Sequence, residues 1–340
     1  MKKAIAAALT GFVLAGAFTG VVSAEEKTEF KVGIVQFIDH ASLNQIRDSL
    51  EAQLDVLSEE KGVTFNYADY YYNGEGDGTT LNQIGAQLVA DQVDVIVAIA
   101  TPAAQIMQAV TEDAQIPIVF SAVTDPVGAG LAESMEAPGM NITGTSDALN
   151  TDAIMNLIFA ADPEADYVGL LYSKSEDAST LPVEEAKAFL DEKGVSYIEK
   201  TGTTTDEVNA AVDALIAEGV DAIFTPTDNT IMNAELSIFE KLIENGIPHY
   251  AGADSFALNG AFVGFGINYE DLGLDTANIV AEILADGADP AGTAVHTFDN
   301  GIATINTETA EALGFDLETV KAAFEPYCSA IAEITTSEEF

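Results

Sequence analysis

The sequence predicts an α/β protein built as two doubly wound parallel-sheet lobes, with a ligand cleft between them and a hinge of three linking segments. Three observations predict this. Short apolar strands alternate with amphipathic helices along the chain. The first half is echoed, segment by segment, about 130 residues further on. Two apolar strands also end in similar small polar tips, "VAIATPA" (97–103) and "FTPTDNT" (224–230).

The elements follow in order. "KVGIVQF" (31–37) is a strand. "SLNQIRDSLEAQLDVLSEEKG" (42–62) is a helix, because Leu43, Ile46, Leu50, Leu54 and Leu57 fall on one face and Gly62 stops it. "VTFNYADYY" (63–71) reads as one strand and "LNQIGAQLVADQ" (81–92) as a helix. "DVIVAIA" (94–100), "AAQIMQAVTED" (103–113) and "PIVFSA" (117–122) continue as strand, helix and strand. Then "VGLLYS" (168–173) echoes the first strand and "DEKGVSYIEK" (191–200) echoes "SEEKGVTFNY". "ALIAEGVDAIFTPTDN" (214–229) and "NGIPHYAGAD" (245–254) repeat the remaining pieces in the same order. "AFVGFGIN" (261–268) adds a strand, "YEDLGLDTANIVAEILADG" (269–287) a helix, and "AVHTFDNGIATIN" (294–306) a further extended stretch.

These echoes divide the chain. Residues 27–145 plus 255–295 form the first lobe, and 146–254 plus 296–330 the second. The crossings fall near 142–147, 251–254 and 296–300, and residues 331–340 are an acidic C-terminal tail. Residues 1–24 read as a signal peptide: Lys2 and Lys3, an apolar run, and "VSA" before a cut after Ala24. A lipoprotein signal would carry Cys where Ala17 stands, so the mature protein is expected to be exported and not lipidated.

Composition narrows the function. Twelve Lys and Arg face 56 Asp and Glu, a formal net charge of −44, so nucleic acid and anionic lipid are excluded as partners. The acidity is spread along the chain and reads as a solvating coat. The single Cys, Cys328, permits no internal disulfide. The three His have no metal-ligand partners at helical spacing, and zincin, P-loop and nucleophile-elbow patterns are absent. No metal, cofactor or enzymatic activity is expected. A transcription regulator of similar fold would need a basic DNA-binding headpiece where the signal peptide stands.

In open parallel sheets, ligands bind beyond the carboxyl ends of the strands. That rule nominates Gln36, Thr101, Ser121, Ala122, Thr124 and Asp147 on one lip, and Asp228, Asn229 and Asp254 on the other. Hydroxyls and helix N-termini can hold a carboxylate without a cation, which matters in a chain whose sole arginine is Arg47. Thr101 and Ser121 are the carboxylate candidates, and Asp228 or Asp254 the ammonium candidates. Helix capping is the competing reading for Asp228 and Asn229. His40 stands at a strand end and suits either ligand contact or capping.

At these residues the chain resembles a known family. "VGIVQFIDHASLN", "VAIATPAAQ", "PIVFSAVTDPVGAGL", "PGMNITGTSD", "FTPTDNT" and "LGLDTANIVAEIL" are similar to segments of ABC-transporter substrate-binding proteins of the tryptophan-binding TrpX type, over roughly residues 30 to 315. Relatives read His-Pro-Ala-Leu-Asp where this chain has His40, Ala41, Ser42, Leu43 and Asn44. The resemblance implies a type I periplasmic-binding-protein fold. It also implies capture of a small solute, an aromatic or other hydrophobic amino acid, by a monomer that delivers it to a membrane ABC permease. Presentation of the ligand to a receptor kinase or chemoreceptor is the alternative.

Overall fold

The computed structural model describes residues 27–337. The signal peptide and cleavage site expected over 1–24, and the last three residues of the expected acidic tail, lie outside the described residues.

The chain opens with β1 (Glu29–Gln36), α1 (Ala41–Lys61), β2 (Thr64–Asn66), β3 (Tyr71–Asn73) and α2 (Gly78–Asp91). It continues through β4 (Val95–Ile99), α3 (Thr101–Thr111), β5 (Ile118–Ser121) and β6 (Ile142–Ser146). The second half repeats the pattern with α4 (Thr151–Ala161), β7 (Tyr167–Tyr172), α5 (Thr180–Lys193), β8 (Ser196–Thr201), α6 (Thr205–Glu218), β9 (Ala222–Thr225), α7 (Asn229–Glu244), β10 (His249–Ala251), α8 (Asp254–Leu258) and β11 (Val263–Gly266). Then come α9 (Tyr269–Leu284), β12 (His296–Thr297), β13 (Ile302–Asn306), α10 (Thr307–Ala312), α11 (Leu317–Phe324) and β14 (Ala330–Ile334).

The strands form two sheets. The first runs β12-β6-β5-β4-β1-β2, with β3 also paired to β1. The second runs β14-β13-β11-β10-β9-β7-β8. Among the described residues, every pairing is parallel except β11 with β13. Apolar side chains point both ways from the buried strands, as parallel sheets covered on both faces require. In the first lobe, α1 and α9 cover one face and α2 and α3 the other. The approach of α1 to α9 is close enough to need a glycine: a Cβ on Gly273 would collide with the Ile46 carbonyl.

The chain passes between the lobes three times, and these passages correct the sequence reading. The first follows β6. The second was expected at 251–254, but β11 pairs with β10 and β13, so it belongs to the second lobe. The return therefore falls between β11 and α9, and residues 255–268 move from the first lobe to the second. The third lies between β12 and β13, since β12 pairs with β6. There Asn300 donates to the Ala148 carbonyl at 2.7 Å, which ties the third passage to the first. The segment 63–71 is two strands, not one, broken by a turn that closes from Tyr70 N–H to the Tyr67 carbonyl. The expected tail starts as structure: β14 pairs in parallel with β13 and extends the second sheet.

Candidate functional site

A small cavity lies where the carboxyl ends of the two sheets face each other. Its free volume, about 30 Å³, has room for a water or two with the lobes in this arrangement. The first lobe presents a row of strand ends. His40 follows β1, Thr101 follows β4, Ala122 and Thr124 follow β5, and Asp147 follows β6. The second lobe presents Thr227, Asp228 and Asn229 beyond β9, with Met232 one turn into α7. Phe256 of α8 and Tyr269, the first residue of α9, close the walls.

Local sequence explains the placements. Ala100 holds a positive φ of 80° before α3, and Ala122 a φ of 56° after β5. Both line the cavity, and such conformations cost about 1–3 kcal/mol each in a residue with a Cβ. Pro102 follows in the first turn of α3, where a missing N–H costs nothing. Across the cleft, Gly252 lets the chain after β10 lie against the β9 tip, since a Cβ there would sit 2.7 Å from the Thr227 nitrogen.

Two cavity-lining side chains have a buried polar atom without a protein partner: Thr101 Oγ1 and His40 Nδ1. Thr101 stands at the N-terminus of α3, where unpaired amides and the helix dipole favour an anion. Asp147 accepts from Thr124 Oγ1 at 3.0 Å and also bonds the Tyr269 hydroxyl. Burial raises its pKa to about 6 and drives that of Tyr269 well above its ordinary value. Near neutral pH this leaves a carboxylate at one end of the row and, two strands along, a hydroxyl over a helix N-terminus.

Among the described residues, four side-chain hydrogen bonds bridge the lobes. His40 Nε2 lies 3.1 Å from Asn229 Oδ1, and Thr124 Oγ1 lies 2.8 Å from Thr227 Oγ1. Gln105 donates to Asp177 at 2.7 Å, and Ser42 to Asp254 at 3.4 Å.

The nominated residues divide. Thr101, Ala122, Thr124, Asp147, Asp228 and Asn229 meet at the cavity. Gln36 does not: its amide brackets the loop after β1, donating to the Ile38 carbonyl at 2.9 Å and to Asn44 at 2.8 Å. Ser121 points to the opposite side of its strand, where its hydroxyl bonds Thr145 at 3.2 Å and Thr276 of α9 at 2.9 Å. Asp254 reaches Ser42 at the lobe junction, and its neighbours Ala253 and Ser255 line the cavity in its place.

Asp228 touches the cavity, but its oxygens are spent inside its own lobe. One accepts from the Ile231 amide at 3.0 Å as the N-cap of α7. The other accepts from the Ser173 amide at 2.6 Å and Ser179 Oγ at 2.7 Å. The capping reading holds for it. Nearby, Glu176 is buried beside Asp228, and burial together with that charge raises its pKa. It accepts from the Asn229 amide at 3.0 Å. Glu176, Tyr269, Phe256 and Met232 were not singled out from sequence. Glu176 follows a strand end, so that rule reaches it; the other three occupy helix faces that read as core.

Facing carboxyl ends of two parallel sheets, a shared cavity and three passages between lobes define a cleft-type binding protein of the type I periplasmic fold. Residues 31–323 match the family described as ABC transporter substrate binding protein, and the chain belongs to that family. It is 33% identical, over 289 residues, to a tyrosine-binding protein of Clostridioides difficile (strain R20291), covering 85% of this chain and 82% of that protein. It is 32% identical to a Streptococcus pneumonia ABC domain solved with L-Trp, at a TM-score of 0.79, covering 88% of this chain and 99% of that one. A ligand-free, open substrate-binding protein with adhesive properties from Clostridium difficile is 31% identical, at a TM-score of 0.67, covering 91% and 100%. Proteins of this family are extracytoplasmic components of ABC transport systems. Among the described residues, no helix is long and apolar enough to cross a membrane.

Proposed function

We propose that this protein captures a zwitterionic amino acid with an aromatic or other hydrophobic side chain and delivers it to the permease of an ABC importer. The observation that carries this reading is the presence of Thr101 and Asp147 on one cavity wall, two strands apart. The unpartnered Thr101 hydroxyl and the α3 N-terminus receive the carboxylate, and Asp147 receives the ammonium. Leu43, Met232 and Phe256 supply apolar walls against which the side chain packs once the lobes close around it. The names of the relatives, one binding tyrosine and one solved with tryptophan, support that class.

Ligand entry needs the lobes to part, and capture is their closure about the three linking segments. The hydrogen bonds across the cleft support this reading. So does the higher similarity to the tryptophan-bound relative than to the open one. Membership of an extracytoplasmic family supports the reading of capture and delivery.

A thermal-shift screen against the twenty amino acids tests the proposal, because a ligand that binds only the folded state raises the melting temperature by mass action. Aromatic amino acids are expected to give the largest shifts. A flat response across all twenty overturns it. X-ray scattering should give a smaller radius of gyration at saturation, and an unchanged radius argues against closure.

A further inference from the structure

His40 carries an unmet hydrogen-bonding atom that the reading above does not use. Its backbone is extended ahead of α1 and its side chain makes no cap. The ring instead enters the junction of the lobes, with Nε2 at 3.1 Å from Asn229 Oδ1. The Asn229 amide nitrogen is committed in turn to Glu176 Oε2 at 3.0 Å. A committed amide nitrogen turns the amide oxygen toward the imidazole, so Nε2 carries the proton and donates. Nδ1 is then a bare lone pair. It is shut off from solvent and has no protein partner, although the ring lines the cavity. Burial lowers the pKa of His40 to about 4, which keeps the ring neutral and Nδ1 an acceptor near pH 7.

The position of this acceptor follows from the sheet order. The strands preceding Asp147, Thr101 and His40 are β6, β4 and β1, with β5 between β6 and β4. Three neighbouring spacings of about 4.8 Å put the first and last strand ends roughly 14 Å apart. With the ammonium on Asp147 and the carboxylate over α3, a side chain running along the row passes Leu43 and ends at His40. An extended aromatic side chain with a hydrogen bond of about 2.8 Å at each end matches such a span.

Resting on the proposed zwitterion site, we infer that His40 Nδ1 is a specificity-determining acceptor for an O–H or N–H donor at the far end of the ligand's side chain. The pocket then selects phenol- or indole-bearing amino acids over those with a bare hydrocarbon ring. A ligand without the donor leaves a buried lone pair unpaired, and rejection follows from that loss.

Calorimetric titration of the purified protein at pH 7.5 with L-tyrosine, L-tryptophan, L-phenylalanine and 4-fluoro-L-phenylalanine tests this. The fluoro compound keeps nearly the outline of tyrosine without its donor. Tyrosine or tryptophan should bind roughly ten- to hundredfold more tightly than either donor-free ligand, and the comparison of those two separates phenol from indole. His40→Leu should bring the donor-bearing ligand down to the level of phenylalanine. Thr124→Val, which also loses a bond between the lobes, should weaken all ligands together and keep their ratio. Equal affinity for phenylalanine and the donor-bearing ligands overturns the inference, as does a ratio that survives in His40→Leu. If none of the four binds, the zwitterion reading itself falls.

Discussion

Thr124 and Thr227 meet hydroxyl to hydroxyl at 2.8 Å across the two lobes, and the same Thr124 oxygen donates to Asp147 at 3.0 Å. One side chain thus links lobe contact to the carboxylate assigned to the ligand's ammonium. Thr124→Val keeps the shape and removes both bonds. The expected outcome is a three- to tenfold weaker dissociation constant, on the scale of one neutral hydrogen bond of about 1 kcal/mol. Scattering of the unliganded variant should show a larger radius of gyration. Calorimetry together with scattering checks this, and unchanged values in both contradict it.

Thr101→Val tests the carboxylate end. The hydroxyl has no partner in the protein, so its loss should leave unliganded stability within about 0.5 kcal/mol of the parent. Affinity should fall roughly ten- to hundredfold, because a hydrogen bond to a charged group is worth about 1.5–3 kcal/mol. Melting curves and titrations on one sample decide the matter. A destabilised variant that binds normally would make Thr101 a structural residue.

Asp228→Ala should do the reverse. The carboxylate caps α7 and anchors the Ser173–Ser179 loop, so removing it should cost about 1–3 kcal/mol of stability. Binding to the fraction that remains folded should change by less than threefold at a temperature well below the melting point. A large affinity loss with normal stability would return Asp228 to the ligand shell.

Acid should weaken binding. Asp147 is raised to about 6 from an ordinary 3.8 because it is buried. The ligand's ammonium favours the ionised form, so affinity is complete above pH 6 and falls as pH drops through it. Between pH 7.5 and 5 the loss should be roughly tenfold. Stability of the unliganded protein takes the opposite sign. Between about pH 4 and 6 the folded state holds a proton that the unfolded chain has released, so this group's contribution is complete below pH 4 and is lost as pH rises through 6. Asp254, also raised to about 6, adds to the same trend. Titrations at the two pH values should show the slope in the parent and none in Asp147→Asn.

Much of this was legible in the sequence, for physical reasons that also mark where legibility ended. The period of α1 and its Gly62 stop fixed that helix to within a residue, since the buried Leu and Ile positions admit one face only. Thr101, Thr124, Asp147 and Asn229, nominated by the strand-end rule, line the cavity because parallel strands deliver their last residues to one edge. It could not tell Ser121 from Ala122: neighbours on a strand face opposite sides, and which side meets the cavity depends on the helix packed behind. The second passage falls later than the sequence suggests because β6 has the sequence of a linker and β11 that of a strand returning to the first lobe. They are the corresponding strands of the two halves, and counting one fewer per lobe shifted the boundary. Met232, Phe256 and Tyr269 stayed hidden because an apolar or aromatic residue facing a ligand carries the same signature as one facing a core.

The late arrival of α9 has a consequence for how the molecule is made. This helix covers β4, β5 and β6 and packs against α1, yet it is synthesised after the whole of the second lobe's β7–β11 unit. During vectorial emergence, the first sheet waits with the part of one apolar face that α1 leaves uncovered bare until residue 284 has appeared. The second sheet in turn gains β13 and β14 only near the end of the chain. Neither lobe can mature as an autonomous early product. A nascent chain halted before Tyr269 should therefore be held by holdase chaperones and cut readily by proteases, whereas one released after Ile334 should resist them. Native binding competence arrives as a late, single event in the life of the polypeptide.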